Sequence, residues 1–226
     1  MQLSKQRGFT LVEIAIVLVI VGLLIGGVLK GQEMITNAKL KRIESDNAGI
    51  AAAMFSYQDR YLQLPGDDSE AGTRFDIYIT GVAALANGDG DGTIGAGTDW
   101  DDVIPSTAPW TDGGVAEETS KFFAHLRAAA LIPGGGGLDV SRLNNAYGGL
   151  IGIQNGSLDI PATATIFSQI EGGVARILET RLDDGNIATG RMQSEEVSVL
   201  NGMDAGGPTT AANYVETDRY NIAFRL

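Results

Sequence analysis

Residues 7–29 read RGFTLVEIAIVLVIVGLLIGGVL. A basic residue and Gly8 precede an apolar run that opens at Phe9 and contains a single acid, Glu13. From Phe9 to Leu29 the run is about 21 residues, or about 31 Å as a helix, enough to cross the hydrocarbon core of a bilayer. A cleaved secretory signal has a shorter apolar core closed by a small-residue site, and no A-x-A pattern closes this one. The short basic leader with Lys5 and Arg7 belongs on the cytoplasmic side, which sends the rest of the chain outward. Lys30, Lys39, Lys41 and Arg42 on the far side weaken a pure charge count. Glu13 is the anomaly. An acid at the centre of a spanning helix costs about 2.5–3.5 kcal/mol, and less near an end. Either it sits in the first turns, where the helix dipole favours an anion, or something else supplies a partner.

The helical pattern continues past Leu29. Ile43, Ile50, Met54, Tyr57 and Tyr61 recur at spacings of seven, four, three and four, which marks one helical face. No proline occurs from Phe9 to Leu64, and Leu64-Pro65-Gly66 ends the pattern. The spacing predicts one helix to about Tyr61, spanning about 80 Å. Its first half, 9–29, is transmembrane. Its second half, 30–61, is an amphipathic stalk whose stripe packs on a globular head, 62–226.

The whole chain has 226 residues and a net charge of −12, and loss of residues 1–8 with Lys5 and Arg7 deepens that by two. So acidic a chain is unsuited to nonspecific contact with nucleic-acid phosphates, and it suits cation binding and a soluble exported surface. The absence of cysteine excludes disulfides, iron–sulfur clusters and thiol nucleophiles.

Residues 62–116 are rich in Gly, Asp, Thr and Pro and read as a long acidic loop. Glu117–Leu131 reads as a helix with Phe122, Phe123, Leu126 and Ala130 inward, stopped by Pro133 and the glycines 134–137. Strands are expected at Tyr147–Gln154, Ala164–Phe167, Arg191–Leu200 and Tyr220–Leu226. A helix carrying Val174, Ile177, Leu178 and Leu182 falls between the second and third. The sum is an α+β head with a small antiparallel sheet.

Asn87, Asp89 and Asp91 alternate with glycines, Gly92 follows at the sharp-turn position, and Thr93 offers a backbone carbonyl. These are the first positions of a calcium loop, in which alternating oxygen donors curl around one hard cation. The twelfth position is Thr98 rather than the bidentate Glu, so Asp99, or Asp101 and Asp102, would have to close the set. A solvated Asn/Asp/Gly turn is the competing reading. Of the remaining residues, His125, the only histidine, reads as structural. Trp100 and Trp110 read either as a binding platform or as packing under the loop. No G-x-S-x-G elbow or phosphate loop is present, so no catalytic residues are assigned and no cofactor is required beyond the possible Ca2+.

The string Arg7-Gly8-Phe9-Thr10-Leu11-Val12-Glu13 ahead of an apolar run closely resembles the class III signal of type IV pilins and type II secretion pseudopilins. The resemblance covers the first fifth of the chain. It implies a pilin-like fold, with the long N-terminal helix packed on the sheet. It also implies cleavage by prepilin peptidase between Gly8 and Phe9, N-methylation of the new Phe9 amine, and a structural rather than enzymatic role. In that family the acid at the position of Glu13 neutralises the N-terminal amine of a neighbouring subunit, so polymerisation supplies the missing partner. The partners implied are the peptidase, other pilin or pseudopilin subunits and the membrane. The location implied is the bacterial inner membrane with the head in the periplasm, and then a filament. Several pseudopilins order a head loop with calcium, nearer the C-terminus than here. The alternative from another class is a signal-anchored periplasmic binding protein or enzyme that uses 9–29 only as a tether.

Overall fold

The apolar run and the stripe beyond it form one α-helix, α1, Leu11–Tyr61. The computed structural model describes residues 10–75, 85–95, 118–134, 143–197 and 213–226. Gly8, Phe9, Thr98 to Asp102 and Trp110 lie outside the described residues, as do 76–84 and the rest of 96–117 in and after the long loop, and 198–200. With no proline to interrupt the ladder, α1 stays helical through Gly22, Gly26 and Gly27. It ends at Leu62, whose φ of 57° is left-handed and whose N–H donates to the Gln58 carbonyl at 2.8 Å. That is the αL stop, and Pro65 prevents the helix from resuming.

The chain divides into two compact units, Met1–Lys41 and Arg42–Leu226. The described part of the first is helix alone. Its large apolar side chains are exposed from Leu11 to Leu29 and again at Met34 and Ile35, and the helix is long and apolar enough to cross a membrane. So long an exposed apolar surface needs a lipid or protein environment.

The second unit contains the outer turns of α1, three shorter helices and a five-stranded sheet. The helices are α2 (Ala71–Phe75), α3 (Glu118–Ala128) and α4 (Gly172–Leu182). The strands are β1 (Leu143–Asn144), β2 (Leu150–Asn155), β3 (Thr163–Glu171), β4 (Met192–Glu196) and β5 (Arg219–Arg225). Their order is β1-β2-β3-β5-β4, with every pair antiparallel. The long N-terminal helix and small antiparallel sheet make the fold α+β and pilin-like.

Side-chain alternation splits β3 between two cores. Ala164 and Ile166 point to one face, where they meet Ile160 and Ala223. Thr165 and Phe167 point to the other, where the Thr165 hydroxyl bonds Asn47 on α1 and Phe167 packs edge-on to Phe224. The predicted stripe residues Ile43, Ile50, Met54 and Tyr57 are buried, and Tyr61 is half-buried. Each fully buried large side chain of this kind contributes about 1.5–3 kcal/mol. Two elements depart from expectation: the two-residue strand β1 is not among the expected strands, and α2 sits inside the stretch that reads as loop. Five residues are too few for a periodic signal. The helix is held by the tertiary contacts of Ala71, buried against Leu85 and Ala124, and by the local pairing of Arg74 with Asp68 and Glu70.

Candidate functional site

At the N-terminus, α1 begins with a reciprocal cap. Glu13 Oε2 accepts from the Thr10 backbone N–H at 2.8 Å and from the Thr10 hydroxyl at 2.9 Å. The Glu13 N–H donates back to Thr10 Oγ1 at 3.3 Å. Thr10-Leu11-Val12-Glu13 is thus a capping box, with the acid at the third helical position. Glu13 is exposed, and exposed apolar side chains such as Leu11, Val12, Ile14 and Ile16 surround it along the helix. Among the described residues its carboxylate has hydrogen-bond donors from Thr10 and no ion pair. Gly22, Gly26 and Gly27 have open space where a side chain would stand, a surface another helix can approach closely.

In the head, α1 ends against two adjacent aspartates with different fates. Asp68 is buried and well donated: Tyr57 Oη donates to Oδ2 at 2.6 Å, the Glu70 N–H donates to Oδ1 at 2.9 Å, and Arg74 pairs with Oδ2. The Arg74 guanidinium also lies 5.0 Å from the centroid of the Tyr61 ring. Burial, followed by the bond to Asp68, pushes the Tyr57 phenol above its usual range. Asp67 is 1% exposed. Its Oδ2 accepts from the Gly92 N–H at 2.9 Å, while its Oδ1 has no hydrogen-bond partner.

Asp67 meets three further acids there. One carboxylate oxygen from each of Asp67, Asp89, Asp91 and Glu118 lies within 4.8 Å of the others. Two close backbone approaches create this meeting. A Cβ on Gly88 would fall 2.1 Å from the Asp67 carbonyl carbon, and one on Gly66 would fall 2.6 Å from the Glu118 carbonyl oxygen. Only glycine lets loop 85–95 and the start of α3 lie so near the turn after α1. The Gly88 and Gly90 N–H groups then bond the Asp68 and Asp67 carbonyls at 2.9 and 3.0 Å. Glu118 opens α3 and accepts from the Asp89 N–H at 3.0 Å and the Gly95 N–H at 3.1 Å. Burial raises the carboxyl pKa of both Asp67 and Glu118, and acidic neighbours add to it.

Of the residues the sequence proposes as cation ligands, Asp89 and Asp91 are in this cluster. Asn87 turns its Oδ1 to the Gly72 N–H at 2.7 Å. The Thr93 hydroxyl and N–H both donate to Asp91 Oδ1, at 2.7 and 2.8 Å, and Asp99 is outside the described residues. Asp67 and Glu118, far from the loop in sequence, complete the group. No local pattern singles them out; the available signals are an acid after Gly66 at a helix end and an acid in the first turn of α3. A second group, Glu179, Asp183 and Asp184, lies at the end of α4. There Glu179 is buried, accepts from Tyr214 Oη at 3.0 Å, and has its pKa pushed up to about 7, mainly by burial.

His125 is structural in geometry as well. It is fully buried, its Nδ1 accepts from the Gly66 N–H at 2.9 Å, and its Nε2 is 2.9 Å from the Ala86 carbonyl. That pattern fixes the neutral ring with hydrogen on Nε2, and burial lowers the pKa.

Residues 3–29 match the family model of the prokaryotic N-terminal methylation motif. No curated protein and no solved structure matches the chain. The chain therefore carries a class III prepilin signal, the N-terminal signature of type IV pilin-like proteins.

Proposed function

We propose that the protein is a structural subunit, a minor pilin or pseudopilin, of a type IV pilus-like or type II secretion filament. Prepilin peptidase cuts between Gly8 and Phe9, and the Phe9 amine is methylated. The subunit waits in the bacterial inner membrane with its head in the periplasm. The observation that carries this reading is the methylation motif continuous with an exposed apolar helix. In the filament, Glu13 pairs with the Phe9 ammonium of a neighbour, because both charges need a partner in a low-dielectric bundle. A head larger than that of common major subunits, without cysteine for a C-terminal disulfide loop, favours the minor-pilin or pseudopilin class.

Glu13→Gln tests this. Glutamine preserves the capping geometry and removes only the charge. The variant is expected to insert and fold but to yield no filaments. Filaments at the wild-type level would overturn the pairing of Glu13 with the neighbour's Phe9 ammonium as the assembly device.

A further inference from the structure

We propose that Asp67, Asp89, Asp91 and Glu118 bind one calcium ion, which clamps loop 85–95 to the turn after α1 and to the start of α3. This site goes beyond the filament reading and stands or falls without it. The ligand atoms lie within 4.8 Å of one another. Oxygens on opposite sides of a calcium ion with Ca–O distances of 2.3–2.6 Å are about 4.6–5.2 Å apart, so the set fits around one ion. All four donors are carboxylate oxygens, the chemistry of a hard cation rather than of zinc or copper.

An independent observation comes from Asp67. Its Oδ1 has no hydrogen-bond partner although the residue is 1% exposed. A buried carboxylate oxygen is expensive to leave unpaired. Asp68, one residue on, shows what a protein-satisfied acid looks like here, with a phenol, a guanidinium and a backbone N–H around it. At Asp67 the fold supplies only part of such a set and points the carboxylate at three more acids. A cation is the partner that would satisfy all four at once. Gly66 and Gly88 admit no side chain without displacing backbone, so the three segments are built to converge at this point.

The test uses the full-length protein in detergent, stripped with chelator and then given calcium chloride. Extracytoplasmic calcium modules bind with Kd of about 10⁻⁴–10⁻³ M. At about a hundred times Kd, Tm is expected to rise by about 5–10 °C. Asp91→Asn, at an exposed position, is expected to keep the chelated Tm and lose most of the rise. Glu118→Gln, which sets an amide NH2 against the Asp89 or Gly95 N–H, is expected to lower the chelated Tm slightly and also lose most of the rise. Asp67→Asn is expected to lose the rise without lowering the chelated Tm. Absence of a rise in the wild type overturns the proposal. So does a rise that persists undiminished in Asp91→Asn and Glu118→Gln, which would place the ion elsewhere.

Discussion

Thr10 and Glu13 cap each other at the start of α1, with the Glu13 carboxylate 2.8 Å from the Thr10 backbone nitrogen and 2.9 Å from its hydroxyl. The acid thus has a local role as well as the role the filament reading gives it, and substitutions can separate the two. Thr10→Ala removes the cap and keeps the charge, at a cost of about 1 kcal/mol in local helix stability. Glu13→Gln keeps the cap and removes the charge, and Glu13→Ala removes both. Filament yield after shearing is expected to fall modestly in Thr10→Ala and to vanish in both Glu13 variants. Equal loss in Thr10→Ala and Glu13→Gln would make the cap, not the charge, the determinant.

The junction between the stalk and the head depends on Asp68. Tyr57→Phe deletes one of its buried donors while keeping the ring against Tyr61, Phe75 and His125. The expected loss is about 1–3 kcal/mol. Arg74→Met strips the guanidinium from a fully buried carboxylate and is expected to cost about 3–5 kcal/mol. Denaturant unfolding of the full chain in detergent measures both. Loss of less than half a kcal/mol in both variants would show that Asp68 is not what ties the turn to α2.

Glu179 predicts a pH dependence with a definite sign. Its pKa is pushed up to about 7 from an ordinary 4.5, chiefly by burial; Asp183 and Asp184 add to the rise, and the Tyr214 hydroxyl opposes it. Between those values the folded state holds a proton that the unfolded state has released. This contribution to stability is therefore full below about pH 4.5 and is lost as pH rises to about 7, at up to about 1.4 kcal/mol per pH unit. Glu179→Gln should abolish that slope and be more stable than wild type above pH 7. The difference between the two melting curves across pH 4–8 isolates the effect from His125, whose burial acts with the opposite sign. Parallel curves would remove Glu179 as its source.

Much of the fold is legible in particular residues. The Ile43, Ile50, Met54 and Tyr57 spacing shows through because one helical face is buried over four turns, and Pro65 marks its end. Helices α3 and α4 and four of the five strands are likewise legible, but α3 ends at Ala128, and Ala130, Ile177 and Leu182, expected on inner faces, are exposed. The short α2 is not legible, because Ala71 holds it through contacts distant in sequence, with Leu85 and Ala124. The candidate cation group is half legible. Asp89 and Asp91 announce themselves by alternation with glycine, whereas Asp67 and Glu118 arrive through the backbone approaches at Gly88 and Gly66. Asn87 has the right spacing, but its side-chain oxygen bonds the Gly72 N–H. The capping box is visible in the sequence as Thr-x-x-Glu; the membrane context draws attention to the charge of Glu13 instead.

On the proposed reading, the chain is processed as a prepilin and enters a filament through its new N-terminus. Intact-mass analysis with N-terminal sequencing, on protein purified from its native membrane, tests this most directly. Processing as a prepilin predicts an N-terminal residue Phe9 whose amine carries one methyl group. A chain that begins at Met1, or an unmethylated chain that begins elsewhere, would contradict it.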